Sequence, residues 1–592
     1  MGGLLTSFNT GVSGLQSAQT SLYTTSHNLA NSATQGYTRQ QVLVTDHKYT
    51  NTMTASGDYV QIGLGTSIST IRQIRNTFLD AQYRLQFGRQ GFYETQNSTL
   101  DEVMDLFGEM EGEEYRTALD DLWKGLQQLN NSPNDIVYRD QLVAMADSLI
   151  EKTVVIKNQL DSYQVSLNTE VSNQVNRINE ITTELKKLNR DIQKYEITGD
   201  VAKDFRDSRN LLLDELSQYI NYELIEEVDG TVSIYTESNY LLTSEQNYEL
   251  AVAPISETSN LVNVIWKNTE DDFFLSKDMT YSSESKTDVG SLRALLISRG
   301  DHIANYYDIP VRPDIADYTA DDGTVDRDAY QQALNQFGLA TDNYNKTIQP
   351  SIIMKTQAQF EQLMHGLVTT INDVFCPNKE VELDDGTKIL VLDEENAPIG
   401  DDADKTMGVE LFTRRNMSRY EKVTVTLSTG ETTEVYKYNE EDPDDPYSLY
   451  SIGQLEVNQL LKNNSSYLPL ISNENSGNVD GYDMKVTQNL LNAWESSAVA
   501  LDPNDLTTYM FSDYYTALIG EIGTQGNVWQ SIIERQTDLT NSIDDNRQAV
   551  MGVFSDEELA DLVKFQHCYN ASSRYITVID EMLEHIINRL GA

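Results

Sequence analysis

The chain has 592 residues, with 43 Lys or Arg against 92 Asp or Glu, a formal net charge of −49. That acidic excess excludes binding to a nucleic-acid backbone. No run of eighteen apolar residues is present, so no membrane insertion is predicted, and two distant cysteines, Cys376 and Cys568, make neither a disulfide framework nor a paired metal motif.

The first thirty-eight residues contain no Asp, Glu, Lys or Arg, although 23% of the chain is charged. Random placement would leave so long a neutral stretch at odds of roughly 5 in 100,000. Ser, Thr, Asn and Gln run through it, so it is not an anchor. Leu5, Phe8, Val12, Leu15, Leu22 and Leu29, with Gln19 and Ser26 in the remaining slots, alternate gaps of three and four, the coiled-coil period. A helix with one apolar stripe and an uncharged remainder should be covered on most sides in its working state. The segment also lacks the basic start of a cleavable secretory signal, its first positive residue being Arg39.

Residues 36–72 alternate Val, Thr, Tyr and Ile around Gly57, Gly63 and Gly65 and read as strands with a turn. Residues 76–107 are helical in pattern. Asn134 to Thr198 runs sixty-five residues without Pro or Gly. Ser132, Pro133 and Asp135 predict its start, as cap, first helical residue and first-turn acid. Its stripe runs from Leu142, Leu149 and Leu160 to Ile181, Ile192 and Tyr195, with Asn, Gln, Glu and Lys expected on the solvated face. Fully helical it would reach roughly 98 Å, too long for one compact globule. An elongated helical rod is expected.

Residues 222–285 turn to β character, with Asp229-Gly230 a hairpin signal. Helical pattern returns at 289–300 and 348–375, and the Asp- and Tyr-rich stretch 301–347 between them reads as partly loop. Residues 380–484 are again strand and turn, including Thr424-Val425-Thr426-Leu427 before Gly430. Asp321-Asp322-Gly323 and Asp384-Asp385-Gly386 read as turns rather than calcium loops. Helices resume near residue 486 and continue onward.

The last of them carries a second seam: Leu562, Phe565, Tyr569, Ser572, Ile576, Ile579, Leu583, Ile586 and Leu590 keep the same three–four alternation. Ser555 and Glu558 form a capping-box pattern at its start, Arg589 suits its negative end, and Gly591 suits its stop. Asp556 to Arg589 would span about 51 Å.

Several of these stretches resemble a known family. Ser26-His27-Asn28-Leu29-Ala30-Asn31 and Thr34-Gln35-Gly36-Tyr37-Thr38-Arg39-Gln40 resemble the start of bacterial flagellar axial proteins. Arg72-Gln73-Ile74-Arg75 with Phe78-Leu79-Asp80-Ala81-Gln82-Tyr83-Arg84, Tyr514-Tyr515 with Ile522-Gly523-Thr524-Gln525, and Asn546-Arg547-Gln548 through Gly552-Val553 narrow the resemblance to the hook-associated protein 1 (FlgK) family. The run from Asp556 to Gly591 completes it. Ala549 and Met551 stand where that family usually has serines. The resemblance implies a secreted structural subunit at the hook–filament junction, sent out through the flagellar type III apparatus. It implies as partners further copies of itself in a ring or tube, the hook protein, the second junction protein FlgL and an export chaperone.

Enzymatic chemistry is not expected. The six histidines are scattered and form no His-Glu-x-x-His motif, no phosphate loop is present, and Gly11-Val12-Ser13-Gly14 lacks the spacing of a nucleophile elbow. No catalytic, cofactor-binding or metal residues are assigned, and no cofactor. The expected fold is α+β and multidomain: an elongated helical rod, coiled-coil helices from both chain ends, and inserted β-rich domains. Residues 1–50 with 545–592 would form the terminal assembly domain, and 51–222 with 289–375 and 485–544 the rod. Residues 223–288 would be a β-rich projection and 376–484 a variable outer domain. The candidate assembly residues are Leu5, Phe8, Val12, Leu15, Leu22, Leu29, Leu562, Phe565, Tyr569, Ile576, Ile579, Leu583, Ile586 and Leu590, with order at both ends expected to set in on assembly. A flagellin-like filament subunit, or an adhesin or enzyme carried on the outer β regions, is the alternative.

Overall fold

The computed structural model describes residues 2–590 apart from 54–55, 109–113, 198, 258, 276–278, 320–323, 474–483 and 497–498. The side chains of Leu5, Arg589 and Leu590, the stop at Gly591 and the turn at Asp321-Asp322-Gly323 lie outside the described residues. Helix α1 (Gly2–Ala30) leads into one long antiparallel ribbon, in which the His47 N–H on the Gly65 carbonyl and the Leu64 N–H on the Lys48 carbonyl link two successive strand pairs. Strand β1 (Gln40–Asp46) pairs antiparallel with β4 (Thr66–Gln73), and β2 (Tyr49–Met53) with β3 (Tyr59–Gly63).

The rod begins with α2 (Thr77–Leu106), whose cap Asn76 accepts hydrogen bonds from the backbone N–H groups of Phe78 and Leu79. It continues through α3 (Glu114–Asn131), α4 (Ile136–Glu196) and α5 (Lys203–Tyr219). At 61 residues, α4 is about 92 Å long. Its start differs from expectation. Asp135 is the cap, accepting from the Val137 N–H at 2.9 Å, while Ser132 and Pro133 belong to a turn closed by the Asp135 N–H on the Ser132 carbonyl. A carboxylate at Asp135 satisfies the first-turn donors, so the helix begins after it. The predicted stripe is buried from Leu142 to Ile192, whereas Tyr195 is exposed.

Strands β5 (Glu223–Glu226), β6 (Val232–Thr236) and β7 (Asn239–Leu242) form one sheet, and β8 (Leu250–Pro254) with β9 (Val262–Trp266) a hairpin. The Asp229-Gly230 turn joins β5 to β6, with Gly230 at φ 82°. This segment, expected as a projection, lies along α4, and Ile234, Leu242, Leu250, Val264 and Trp266 belong to the same core as the α4 stripe. Three asparagines spaced about three turns apart on α4 fasten it. Asn189 donates to the Val232 carbonyl at 2.8 Å and accepts from the Val232 N–H at 3.1 Å. Asn179 does the same with Leu250, at 2.8 and 2.9 Å. Asn168 bonds the Asn260 carbonyl and the Val262 N–H, at 3.1 and 2.9 Å. Each amide satisfies a strand's donor and acceptor at once, as a neighbouring strand would.

Helix α6 (Ser291–Arg299) is followed by short 3₁₀ turns at Tyr306–Asp308 and Ile315–Tyr318, then by α7 (Arg327–Thr347) and α8 (Ile352–Phe375). The stretch 301–347 thus holds a full helix. Of its residues only Tyr344 is buried, but Tyr330, Leu334 and Phe337 are half-buried on the same side at three–four spacing, a period masked by the Asp and Asn around it.

Four strands follow in the order β10 (Asn378–Glu382), β11 (Lys388–Leu392), β14 (Thr432–Tyr438) and β13 (Tyr420–Thr426). The turns expected at Gly386 and Gly430 join β10 to β11 and β13 to β14. Strands β12 (Phe412–Arg414) and β15 (Leu455–Val457) pair beside them, ahead of the short α9 (Gln459–Asn463). Asn372 of α8 donates to the Phe412 carbonyl at 2.8 Å and accepts from the Leu411 and Phe412 N–H groups, both at 3.1 Å. Buried Glu361 accepts from the Ile452 N–H at 2.9 Å. The inner side of this outer region is therefore continuous with the rod. Helix α10 (Lys485–Ser496), a small pair β16 (Val499–Ala500) and β17 (Thr508–Tyr509), α11 (Phe511–Met551) and α12 (Ser555–Leu590) complete the described chain. The small pair interrupts the helical run expected from residue 486. Tyr115 lies 5.2 Å from Phe360 and 4.8 Å from Tyr515 between ring centroids, locking α3, α8 and α11 together. The expected boundaries at 50 and 545 fall inside β2 and α11.

Candidate assembly interface

The two ends of the chain pack against each other as α1 and α12. On α12, Ile576 and Ser572 lie against Gly11 and Gly14 of α1. Ile579 is buried, and Leu562, Phe565, Tyr569, Ile576, Leu583 and Ile586 are half-buried. On α1 the inner line differs from expectation. Phe8, Val12, Leu15, Leu22 and Leu29 are only half-buried, while Gly11, Ala18, Ser21, Thr25 and Asn28 are buried. With Gly14 these form their own three–four alternation, one position beside the apolar stripe. The reason is distance: a Cβ at Gly11 would stand 2.8 Å from Ile576 Cγ1, and one at Gly14 3.1 Å from Ser572 Oγ. Small residues let the larger α12 side chains settle against the α1 backbone, and the leucines beside them flank the contact.

The β1–β4 hairpin covers another side of α1. Ser13 Oγ accepts from the Thr66 N–H at 3.1 Å, and Ser17 Oγ lies 3.0 Å from Thr66 Oγ1. Gly65, at φ 107°, permits this approach, since a Cβ there would lie 2.0 Å from Ser13 Oγ. What remains open on α1 is a face of Asn9, Gln16, Gln19, Tyr23, Ser26, His27 and Ala30, without Asp, Glu, Lys or Arg.

Asn28 ties three elements together. It donates to the Gln40 carbonyl at 2.9 Å, accepts from the Gln40 N–H at 3.0 Å and from Tyr37 Oη at 2.8 Å, and donates to Glu558 Oε2 at 3.1 Å. Glu558, 2% exposed, also accepts from Arg39 Nε at 2.6 Å. Its carboxylate is thus turned to α1 and β1 and does not close the capping box expected with Ser555. A buried charge needs a paired, hydrogen-bonded partner, and Arg39 supplies it.

A second polar cluster joins this node to the rod. Thr38 donates its N–H and Oγ1 to Asp207 of α5 at 3.1 and 2.7 Å, and Gln73 Nε2 donates to it at 2.9 Å. Burial pushes the Asp207 carboxyl up to about 6, with the Thr38 bonds and Arg75 opposing. Arg75 Nε pairs with Asp80 at 2.6 Å. Asp214 of α5 holds Arg84 of α2 and Arg547 of α11, both at 2.7 Å, and the Arg547 guanidinium lies 4.2 Å from the Tyr83 ring centre. The backbone closes the joint, with the Arg39 N–H on the Met551 carbonyl at 2.9 Å. The resemblance stretches at 26–40, 72–84, 546–553 and the start of α12 meet in this joint, whereas Tyr514-Tyr515 lies elsewhere on the rod, packed against Tyr115 of α3 and bonded to the Gln359 carbonyl of α8. Asp207 and Asp214 carry no sequence signal beyond their place on a charged helix; the small-residue line of α1 has one, its spacing. Among the described residues, no group of three His, Cys, Asp or Glu could hold a metal ion, and no helix is long and apolar enough to cross a membrane.

Comparison with known proteins bears on this arrangement. The family model "Flagellar hook-associated protein FlgK helical domain" matches residues 100–376. Flagellar hook-associated protein 1 of Bacillus subtilis (strain 168) is 24% identical over 98% of this chain and 96% of its own length. The chain is similar to hook-associated protein 1 over nearly its whole length. The proteins of the same name from Escherichia coli (strain K12) and Salmonella typhimurium are each 21% identical over 98% of this chain and 99% of their own. The solved flagellar hook junction protein FlgK from Burkholderia pseudomallei superposes with a TM-score of 0.47 at 13% identity, over 79% of this chain and 100% of that one. The family's helical-domain match, residues 100–376, runs from the last turns of α2 to the end of α8.

Proposed function

We propose that this protein is an exported structural subunit of the bacterial flagellum, forming the junction between hook and filament. The observation that carries the reading is the pairing of α1 with α12 at one end of the rod, its open α1 face free of Asp, Glu, Lys and Arg. Neutral polar faces can be covered by neighbouring copies without desolvating charge, which would cost several kcal/mol per ion. On α12, Leu559, Val563, Val578, Met582 and Ile587 remain exposed, a further apolar surface for neighbours to cover. Copies of this chain would form a ring or tube through these faces, with the hook protein on one side and FlgL on the other. An export chaperone would shield the same faces before secretion. The division of labour follows: terminal pair for assembly, rod for spacing, segment 376–484 for the outer surface.

The test is Ile579→Asp in cells. Placing a charge in the buried strip costs several kcal/mol and should leave the rod folded. Hooks should form while filament subunits are lost to the medium. Filaments of normal length and number on this variant would refute the assembly role of α12.

A further inference from the structure

A cleft of about 840 Å³ opens between β4, α2, α5 and the loop before α6. Six cations line it, Arg72, Arg75, Arg84, Arg206, Arg209 and Lys286, against three carboxylates, Asp80, Glu223 and Glu226. Such a wall is unexpected in a chain of net charge −49.

Three of the cations are matched. Arg75 pairs with Asp80, Arg84 with Asp214, and Arg206 with Glu196 and Glu226, at 2.6 to 2.7 Å. The other three are not. Arg72 donates Nε and Nη2 to the neutral amide oxygen of Gln41, at 3.2 and 3.0 Å. Lys286 is exposed and has no carboxylate partner among the described residues. Arg209 is 3% exposed. Its Nη1 reaches the Gly230 carbonyl at 2.6 Å, and its Nη2 shares at 3.5 Å the Glu226 oxygen that Arg206 already holds. Its Nε has no hydrogen-bond partner, and neither does Nη1 of Arg75, 3.9 Å from Asp207. Burial pulls the Arg209 guanidinium down to about 10, the mark of an incompletely balanced cation. Glu223, exposed at the rim, is the one lining carboxylate without a cation in pairing range among the described residues.

Buried donors are almost always satisfied, and leaving one empty costs about 1–3 kcal/mol. Guanidinium N–H groups in their fixed fork match the oxygens of a tetrahedral oxyanion. We propose that this cleft binds a free multivalent oxyanion of the phosphate or sulfate type, held by Arg72, Arg209 and Lys286. The anion bridges β4, which packs on α1, to α5 and to the loop ahead of α6, and so fixes the terminal pair on the rod.

The experiment titrates sodium phosphate, and separately sodium sulfate, into the full-length monomer at constant ionic strength, with chloride as control. Calorimetry should show saturable binding with Kd below about 5 mM for at least one of the two anions, with a matching rise in Tm. Arg72 and Lys286 are exposed, so Arg72→Gln with Lys286→Ser should keep its Tm in chloride and bind at least about tenfold more weakly. Phosphate and sulfate heats indistinguishable from chloride, or unchanged affinity in the double variant, would overturn the site. Loss of binding in Arg209→Gln supports it only if that variant keeps its Tm in chloride, and full affinity there counts against it.

Discussion

Asn28 and Glu558, separated by 530 positions in the chain, share a buried hydrogen bond of 3.1 Å. That contact, with Arg39 on the same carboxylate, fixes the register of α12 against α1 more tightly than apolar packing could, because sliding either helix would strand a buried charge.

Glu558→Ala leaves Arg39 with only the surface carboxylates of Glu557 and Asp561 and removes an acceptor from Asn28. Breaking a buried pair costs about 3–5 kcal/mol. The loss should be local. Hydrogen exchange should accelerate across 2–30 and 555–590 while α2, α4 and α8 keep wild-type protection. Uniform exchange along the whole chain would show that the node serves global stability instead.

Gly11→Leu addresses the close approach. Its side chain would enter the space of Ile576 and Tyr575, and overpacking of this kind costs about 1–3 kcal/mol. The helices should separate at that level, raising protease cleavage within α1. A compensating Ile576→Ala should recover most of the loss, and failure of the pair to couple would place the contact elsewhere.

The seams show how far a single sequence reaches. Three–four spacing located both terminal helices and, on α12, a line of buried and half-buried residues. On α1 it selected the larger apolar residues, although the buried line runs through glycine, alanine and serine beside them. Hydrophobicity marks what prefers burial; closeness of approach is set by size, and small polar residues give it no apolar signal. The same limit hid Asn28, Asn168, Asn179, Asn189 and Asn372, which look like solvated helix positions until a strand is laid beside them. Helix α7 shows another limit: its line of Tyr330, Leu334, Phe337 and Tyr344 is mostly half-buried and set among Asp, Asn and Gln, so the period is present but weak.

Asn179→Leu tests the strand-like amide. The Leu250 N–H and carbonyl would lose both partners, and unsatisfied buried backbone groups cost about 1–3 kcal/mol. Local exchange at β8 and β9 should rise while the α4 core around Ile178 and Ile181 stays protected. Asn179→Gln should not rescue it, because the longer side chain displaces the amide from both backbone groups. Wild-type urea midpoint and exchange in Asn179→Leu would mean that the pair contributes nothing net.

Acid should first stabilise this protein. Burial raises the carboxyls of Glu361 and Glu410 to about 7 and that of Asp207 to about 6, against ordinary values near 4. Between those limits the folded chain holds more protons than the unfolded one, so stability rises as pH falls from about 7 toward 4.5. Carboxylates held low act in the opposite sense but only further down: Asp301, bonded to His302, and Asp393, bonded to Asn396, lose their contribution as pH drops below the ordinary range. The urea midpoint should therefore pass through a maximum near pH 5. Glu361→Gln isolates one part of this. Its amide oxygen can still accept from the Ile452 N–H, and no charge remains to desolvate. At pH 7.5 the variant should be more stable than wild type by about 1–3 kcal/mol, with the difference vanishing near pH 5. A constant difference across that range would exclude titration of Glu361 as its cause.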